Sequence, residues 1–276
     1  MIEAVGDDCP RLMTEGWLAS HRTRLTRCRF LFQLFESMNI EVILSPSLYS
    51  GRLLSGPHVS VAVDILRATT AVCTAFKVGA TEIVPLDTLD RLPHFASLGF
   101  TIAAERNGRK LYGATCGNSP TEYLSMDLTG RRLAYSTTNG TVAILCAADS
   151  KPLYIGAFAN LSVLASRLAD NHSSSDLVIL CSGWNGDPSL EDSLFAGALI
   201  DKLLSVGTPL SFVNDSATMV LDLWRAAASN LHEFCSRATH VRRLLSLGCE
   251  ADIRFSLTAD TCSVIPVFSN ATLHLV

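Results

Sequence analysis

Acidic residues follow several short apolar segments of the chain, where those segments give way to polar residues. The four carboxylates concerned are Asp64, Glu105, Glu191 and Asp192. Carboxylate oxygens are hard ligands, which suit Mg²⁺ better than they suit zinc. These residue types therefore predict a site for a divalent cation.

Residues able to bind an anion occur at the same points of the chain. They are Arg67, Thr69, Thr70, Arg106, Asn118, Ser119, Thr138, Asn139 and Gly140. Arginine pairs with anions, and the unpaired N–H groups and dipole at a helix start attract negative charge. Carboxylates for a metal beside a cradle for an anion are typical of a metal-dependent site for a phosphoryl group or an organic acid.

Each of these residues also has a purely structural interpretation. Thr138, Asn139 and Ser189 are common types of helix N-cap, and Asp64 could simply cap the helix that follows it. His232 and His240 lie on predicted helices, where a surface or packing role is expected rather than metal ligation. The functional interpretation depends on the occurrence of several such carboxylates together at strand ends.

The elements that must position these residues alternate between short apolar, often β-branched segments and helical stretches. Strands are predicted at 39–44, 59–63, 82–86, 101–104, 133–136, 153–156 and 177–181. Helices are predicted at 69–78, 141–148, 161–169, 190–204, 217–228 and 231–247. This alternation predicts an α/β fold with a largely parallel or mixed sheet and helices on both faces, in three layers. Ligands of such sheets bind beyond the carboxyl ends of the strands.

The composition limits the kind of protein further. Of the 276 residues, 48 % are hydrophobic and 17 % are charged, and the formal net charge is −4. So apolar a chain is not intrinsically disordered, and a negative charge argues against a nucleic-acid partner. No apolar run approaches the roughly 18–20 residues of a membrane span, so no membrane partner is expected. The high apolar and low charged fractions predict a homodimer.

The cysteines and the N-terminal segment give two further predictions. Nine cysteines are scattered without a CxxC pair, which is typical of thiols in a reducing compartment and predicts a cytoplasmic protein. Residues 1–37 contain an arginine cluster and no clean strand or helix pattern. We expect them to form a poorly ordered extension, with Met38 as an alternative start, before an α/β domain at 38–276.

Several common catalytic motifs are absent from the sequence. Neither GxGxxG nor GxxxxGK[ST] occurs, which argues against a dinucleotide-binding fingerprint and a P-loop. No GxSxG occurs, which argues against a common serine hydrolase. Leu66 stands where a phosphatase of the haloacid dehalogenase type has its second aspartate, which argues against that class of phosphatase.

Taken in order, the polar motifs resemble those of the 2-phosphosulfolactate phosphatases. The matching segments are Val63-Asp64-Ile65-Leu66-Arg67-Ala68-Thr69-Thr70, Ala104-Glu105-Arg106-Asn107-Gly108, Gly117-Asn118-Ser119-Pro120, Thr137-Thr138-Asn139-Gly140-Thr141 and Ser189-Leu190-Glu191-Asp192, followed by His240, Leu244 and Gly248. The resemblance covers about residues 38–268. It departs from the family at Asn107 and Val241, where glycine is usual, and at Trp184, which lies in a variable loop.

The resemblance implies Mg²⁺-dependent hydrolysis of (2R)-O-phospho-3-sulfolactate to 3-sulfolactate and phosphate, a step of coenzyme M biosynthesis. On this basis Asp64 and Glu105 would hold Mg²⁺, with Asp192 or Glu191 as a further ligand or as the base that orients water. The residues expected to bind substrate divide into two groups, according to the part of the substrate that each would hold. Arg67 and the amides of 138–140 would hold the phosphoryl oxygens, and Arg106, Asn118 and Ser119 would hold the carboxylate or sulfonate, with Thr69 and Thr70 beside them.

Three alternatives remain open at this stage. The substrate could be another small phospho-acid, or the chain could be a non-catalytic anion-binding module of the same fold. Within the phosphatase interpretation, direct attack by water is preferred, and a covalent aspartyl phosphate at Asp64 is the rival mechanism.

Overall fold

The structure is a computed structural model of the chain, and it describes residues 37–276. The predicted N-terminal extension therefore lies outside the described residues except for Ser37. No helix in the described part of the chain is long and apolar enough to cross a membrane.

The described residues form a mixed α/β fold whose elements alternate over most of the chain. The strands are β1 (Met38–Ile43), β2 (Val59–Val63), β3 (Glu82–Pro85), β4 (Thr101–Arg106), β5 (Arg109–Lys110), β6 (Arg132–Ser136), β7 (Leu153–Gly156), β8 (Leu177–Cys181), β9 (Leu210–Phe212), β10 (Pro266–Ser269) and β11 (Thr272–Leu275). The α-helices are α1 (Ala68–Lys77), α2 (Leu92–Ser97), α3 (Pro120–Leu124), α4 (Gly140–Cys146), α5 (Leu161–His172), α6 (Leu190–Ser205), α7 (Asp215–Ala227), α8 (Leu231–Ser236), α9 (Thr239–Ser246) and α10 (Glu250–Ser256).

All eleven strands belong to one sheet, in the order β5-β4-β6-β3-β11-β10-β7-β2-β8-β1-β9. The strands β7, β2, β8, β1 and β9 are parallel to one another, as are β4, β6 and β3. The antiparallel hairpin of β10 and β11 joins these two parallel groups. The predicted three-layer α/β class with a largely parallel or mixed sheet is confirmed.

The centre of the sheet is made of strands whose residues are apolar on both faces. All five residues of β2 and all five of β8 are buried, as expected where helices cover both faces of a parallel sheet. Helices α1, α5 and α6 bury Phe76, Leu164 and Phe195 in the same continuous core. This packing fixes the carboxyl end of β2, and with it Asp64.

The strand order separates the two predicted metal-binding carboxylates widely. β2, which ends before Asp64, and β4, which contains Glu105, lie six strand spacings apart, or roughly 29 Å across a flat sheet. Both side chains nevertheless line one small cavity. The sheet therefore curves, so that its two parallel groups approach each other around that cavity.

The predicted helix at 231–247 is wrong, because two helices occupy this segment. α8 ends at Ser236, and α9 begins at Thr239 after the extended Ala238 (φ −66°, ψ 138°). The helical pattern runs through the break, so the sequence gives no local signal of it. The change of direction lets α9 bury His240 and Leu244 against the core.

The C-terminal hairpin was not predicted. Its two-residue turn consists of Asn270 and Ala271, both with positive φ (51° and 63°). Two-residue hairpin turns of this kind usually carry glycine at the second position, because alanine seldom adopts positive φ. The usual turn signal is therefore missing from the sequence, although the hairpin connects the two halves of the sheet.

Candidate active site

A small polar cavity of about 120 Å³ lies at the carboxyl ends of β2 and β4. The side chains and backbone that line it come from several distant segments of the chain: Asp64, Leu66, Arg67, Glu105, Asn107, Gly108, Asn118, Thr138, Asn139, Trp184, Asn185, His240, Arg243 and Leu244. Six residues predicted for the site are among them: Asp64, Arg67, Glu105, Asn118, Thr138 and Asn139.

Asp64 is held at the junction of β2 and α1 by local hydrogen bonds. Its Oδ1 accepts from the N–H of Ala68 at 3.2 Å. The hydroxyl of Thr69 donates to the Asp64 carbonyl at 2.9 Å, and the hydroxyl of Thr70 donates to the Ile65 carbonyl at 3.0 Å. The two threonines do not line the cavity, so the structure gives them the task of fixing the turn that carries Asp64.

The surroundings of Asp64 are unfavourable for a bare negative charge. Burial raises the pKa of its carboxyl well above the ordinary value, and the charges of Asp192 and Glu105 add to the effect. No ion pair involving Asp64 occurs among residues 37–276. A cation placed in the cavity would restore the ionised carboxylate.

Glu105 reaches the same cavity from the other half of the sheet. Its Oε1 accepts from the N–H of Thr138 at 2.7 Å and from the hydroxyl of the same residue at 3.0 Å. Its Oε2 accepts from the N–H of Gly108 at 2.7 Å. These three donors fix the carboxylate and occupy both lone pairs of Oε1, so Oε2 keeps one lone pair for a further ligand. The Thr138 amide, predicted to hold a phosphoryl oxygen, donates to Glu105 instead.

Arg67 lines the cavity but pairs with an acid that the sequence analysis missed. Its Nη1 lies 2.6 Å from Asp252 Oδ2 in α10, and both side chains are about 5 % exposed. Its Nη2 donates to the Gly108 carbonyl at 2.8 Å. Burial is the largest single influence and lowers the pKa of Arg67, but the hydrogen bond with Asp252 and the negative groups nearby together outweigh it, so the pKa is raised. The guanidinium therefore stays charged and firmly oriented.

Asp252 also organises the segment that contains Asn118 and Ser119. Its Oδ1 accepts from the hydroxyl of Ser119 at 2.6 Å, and Ser119 caps α3 by accepting from the N–H of Glu122. Ser119 does not line the cavity, whereas Asn118 does. The Asn118 side-chain oxygen accepts from the hydroxyl of Tyr135, so the amide NH₂ of Asn118 is the group left to face a ligand.

Asp192 and Glu191 lie beside the cavity but do not line it. Asp192 Oδ1 accepts from the N–H of Ile65 at 2.8 Å, and its Oδ2 accepts from the N–H of Gly183 at 3.1 Å and from the Ser182 hydroxyl at 3.2 Å. Asp192 thus ties the chain next to Asp64 to the loop after β8. Burial raises the pKa of both Asp192 and Glu191, the hydrogen bonds to Asp192 oppose the rise there, and the charge of Asp192 adds to the rise at Glu191.

Glu191 faces a second cavity, of about 250 Å³, which adjoins the first at Trp184 and His240. Its Oε2 and the Oγ of Ser189 are buried without a hydrogen-bond partner in the described structure. Ser189 is the residue before α6, yet its side chain makes no capping hydrogen bond.

Two further predicted residues take part in packing rather than lining the cavity. Arg106 donates to the Glu105 carbonyl at 2.6 Å and to the Ser136 hydroxyl at 2.9 Å. Gly140, the first residue of α4, lies so close to α1 that an added Cβ would be 2.2 Å from the Ala68 Cβ and 2.7 Å from Asp64 Oδ2. Glycine at this position lets α4 approach the turn that carries Asp64.

Several cavity residues were not predicted as site residues, although His240 and Leu244 belong to the motifs that resemble the family. Trp184, Asn185, Arg243 and Leu244 were not proposed as site residues, and His240 was expected only to pack. His240 Nε2 lies 3.0 Å from the Leu66 carbonyl, and since that partner only accepts, Nε2 carries the proton. Burial lowers the pKa of His240 to about 4, so its imidazole is neutral. The packing role is consistent with these contacts, and the ring also closes one side of the cavity.

Asn107 shows how the chain accommodates a departure from the family pattern. It adopts φ of 55° directly before Gly108, which has φ of 78°. Asparagine tolerates this left-handed region better than other residues with a Cβ. The turn that presents the Gly108 amide to Glu105 is therefore preserved without the usual glycine.

The protein ligands available to a metal ion at this site are few. Within residues 37–276, no three His, Cys, Asp or Glu side chains converge as a ready-made metal site. Asp64 and Glu105 are the two carboxylates that line the cavity. Mg²⁺ is commonly held by one or two carboxylates, with water and substrate phosphate as the other ligands, so the residues present fit Mg²⁺ in this mode.

Comparison with known proteins identifies the family. The family model described as 2-phosphosulpholactate phosphatase matches residues 44–271. The chain belongs to this family. A protein of Prochlorococcus marinus named "Probable 2-phosphosulfolactate phosphatase" is 39 % identical over 201 residues, covering 71 % of this chain and 82 % of the relative.

Two other relatives of the same name extend the match. The protein from Caldanaerobacter subterraneus is 34 % identical over 219 residues, covering 78 % of this chain and 89 % of the relative. The protein from Synechocystis is 34 % identical over 233 residues, covering 83 % and 95 % respectively. Every residue that lines the cavity lies within the segment matched by the 2-phosphosulfolactate phosphatase family.

Proposed function

We propose that this protein is a phosphatase that hydrolyses 2-phosphosulfolactate to 3-sulfolactate and phosphate. The observation that carries the proposal is the convergence of Asp64, Glu105 and Arg67 on one cavity in a chain of this family. Carboxylates that face a metal and an arginine that faces an anion are the requirements of metal-assisted phosphoryl transfer. Coenzyme M biosynthesis is the process in which this reaction would serve.

We propose Mg²⁺ as the cofactor, held by Asp64 and Glu105. The buried Asp64 carboxylate has no counter-charge from an ion pair in the described structure, and this is the environment in which a bound cation is most favourable. Bound at this position, Mg²⁺ would neutralise charge on the phosphoryl oxygens and reduce the barrier to attack. Asp192 has its oxygens committed to the backbone of Ile65 and Gly183, and we assign it a positioning role.

The protein groups around the phosphoryl group have separate tasks in this mechanism. Arg67 is oriented by Asp252 and presents its remaining N–H groups to the phosphoryl oxygens. The Asn118 amide and the backbone near Asn139 bind the rest of the anion. Uncatalysed phosphate monoester hydrolysis is among the slowest of biological reactions, so the main contributions of the site are orientation and electrostatic stabilisation.

Direct attack by water is the pathway that we favour. The bond from the water oxygen to phosphorus forms, the ester bond from phosphorus to oxygen breaks, and the proton ends on the hydroxyl of sulfolactate. The transition state of such transfers is loose and depends little on a base. Glu191 and Asp192 were expected to orient water, but they lie outside the cavity lining. A transition state that depends little on a base is compatible with that placement.

A single-turnover reaction in ¹⁸O-water, run together with hydroxylamine trapping, separates this pathway from a phosphoaspartate at Asp64. Direct attack places the label solely in the released phosphate. Hydrolysis of an aspartyl phosphate by attack at phosphorus would also label phosphate, so trapping with hydroxylamine is run in parallel. A hydroxamate at Asp64, or ¹⁸O in the protein, would contradict direct attack.

The proposed activity is tested by phosphate release from a panel of phospho-acids, with Mg²⁺ and with EDTA. We expect phosphosulfolactate to give the highest kcat/KM, with release that requires the metal. A higher kcat/KM for phospholactate or phosphoglycerate would support the alternative of a phosphatase for another small phospho-acid. No release from any of the three would support the non-catalytic anion-binding module.

A further inference from the structure

Two arginines line the cavity, and they differ in whether their charge is already paired. Arg67 is paired with Asp252 at 2.6 Å. Arg243 of α9 makes no ion pair and no side-chain hydrogen bond with any residue of the described range, 37–276. A partly buried guanidinium without an anion at the edge of a binding cavity is a site for an anion brought by the ligand.

Arg243 lines the cavity and is positioned there by packing rather than by an acid. Its Cζ lies 5.8 Å from the centre of the Trp184 ring, and Trp184 lies 5.4 Å from the ring of His240. The Arg243 nitrogens would be 3.4 Å and 3.6 Å from a Cβ added at Gly108. The guanidinium therefore lies close to both the Gly108 turn and the Trp184 indole, and none of its N–H groups has a hydrogen-bond partner within residues 37–276.

Arg106, which the sequence analysis assigned to the carboxylate or sulfonate, is not placed to do this. It does not line the cavity, and its two terminal nitrogens donate to Glu105 and Ser136. Of the two arginines that line the cavity, Arg243 is the one whose charge has no acidic partner in the described residues.

We propose that Arg243 binds the sulfonate of the substrate and thereby sets the preference for it. This inference rests on the proposed function. In 2-phosphosulfolactate the sulfur is one covalent bond farther from phosphorus than the carboxyl carbon is. With the phosphoryl group beside Asp64 and Arg67, the sulfonate is the anion farther from it, and the unpaired Arg243 guanidinium is the charge left in the cavity lining to bind it. A sulfonate stays fully ionised at all physiological pH values, and it offers three oxygens to a guanidinium.

The test compares two substrates that differ only at this group, phosphosulfolactate and phospholactate, in which a methyl group replaces the sulfonatomethyl group. We expect Arg243→Met to reduce kcat/KM for phosphosulfolactate by about 10- to 100-fold, the loss typical of a hydrogen bond between charged groups. The decrease for phospholactate should be much smaller, so the ratio of the two values should fall by nearly the same factor. Arg243→Lys should restore part of the ratio, because it keeps the charge without the planar geometry.

Arg242→Met is the matched control, because it removes the same charge from an exposed neighbouring position of α9, outside the cavity lining. It should leave the ratio unchanged. A ratio of the two kcat/KM values that stays unchanged in Arg243→Met, whether both values fall equally or neither falls, would overturn the assignment of Arg243 to the sulfonate. The melting temperatures of all three variants, Arg243→Met, Arg243→Lys and Arg242→Met, check that the fold persists. Failure of the proposed function is distinguishable, because the wild-type protein would then release no phosphate from phosphosulfolactate.

Discussion

Arg67 keeps a buried charge because Asp252 lies against it. The two residues are 185 positions apart, and Asp252 also accepts from the side chains of Ser119 and Thr121. One carboxylate therefore orients the arginine that faces the substrate and fixes the segment that presents Asn118. A buried ion pair adds little to stability as a pair, but loss of one partner leaves an uncompensated charge.

We expect Asp252→Ala to destabilise the protein by about 3–5 kcal/mol and to reduce kcat/KM. At this chain length each kcal/mol lowers Tm by roughly 2–4 °C. Thermal unfolding and a phosphate-release assay measure the two effects. The control is Asp201→Ala, which removes an exposed ion pair with Arg225 and should cost no more than about 1 kcal/mol. Equal effects of the two substitutions would contradict the role given to Asp252.

The sequence identified site residues best where the relevant contacts are local. Asp64 follows a fully buried strand, and the threonines that hold its turn lie five and six residues after it. Sequence alone could not separate the threonines that brace this turn from residues that face a ligand, because both roles use the same side chains. Asp252 and Arg243 join the site from distant helices, so no local spacing indicates them.

At the scale of elements, the site depends on the close approach of α1 and α4. Gly140 begins α4, and its Cα faces Ala68 at the start of α1 and the carboxylate of Asp64. Neither helix could come so near with a larger residue at this point, since packed interiors tolerate added atoms poorly.

We expect Gly140→Ala to destabilise the protein by about 1–3 kcal/mol, as overpacking does in other cores. Because the added methyl group would collide with Asp64 Oδ2, kcat should fall as well. Gly51→Ala is the control, since a Cβ there meets nothing within 4 Å, and its Tm and kcat should match the wild type. Wild-type kcat in Gly140→Ala would show that the contact with Asp64 has no role in positioning.

The elements show which parts of the fold were predictable from sequence. The strands at 59–63, 153–156 and 177–181 were predicted with their observed ends, because each is a short apolar run with clear boundaries. The order of strands was not predictable, because the hairpin that inserts between the parallel groups lacks the usual turn glycine. That order places Asp64 and Glu105 six strands apart, and the curvature of the sheet brings them to one cavity.

At the scale of the whole molecule, assembly remains a prediction. Several large apolar side chains are exposed within 204–219, which spans the end of α6, the edge strand β9 and the start of α7: Leu204, Val206, Phe212 and Met219. β9 also ends the sheet, and an edge strand beside apolar residues is a common place for self-association.

We expect a homodimer that uses this edge, with a mass near twice 29.7 kDa in sedimentation at micromolar concentration. Met219→Glu would place a charge in the interface and should shift the protein toward the monomer. Leu98→Glu, a change of a similarly exposed apolar residue far from β9 in the sequence, is the control and should leave the dimer intact. A wild-type protein that sediments only as a monomer would contradict the dimer.

The central claim is that the ionised Asp64 carboxylate binds Mg²⁺ for phosphatase activity, and Asp64→Asn tests it most directly. The variant keeps the shape of the side chain and an oxygen able to accept from Ala68, but it loses the charge. The buried Glu41, which accepts from the amides of Leu53 and Leu54 away from the cavity, supplies the control Glu41→Gln. Tm is measured with EDTA and with saturating Mg²⁺, and phosphate release from phosphosulfolactate is measured on the same samples.

In the wild type and in Glu41→Gln, Mg²⁺ should stabilise the fold by about 2.7 kcal/mol at a hundredfold excess over Kd, and both proteins should release phosphate. Asp64→Asn should fold in EDTA, lose most of the Mg²⁺-dependent rise in Tm and release no phosphate above background. Near-wild-type turnover in Asp64→Asn, with an unchanged rise in Tm on addition of Mg²⁺, would contradict the account.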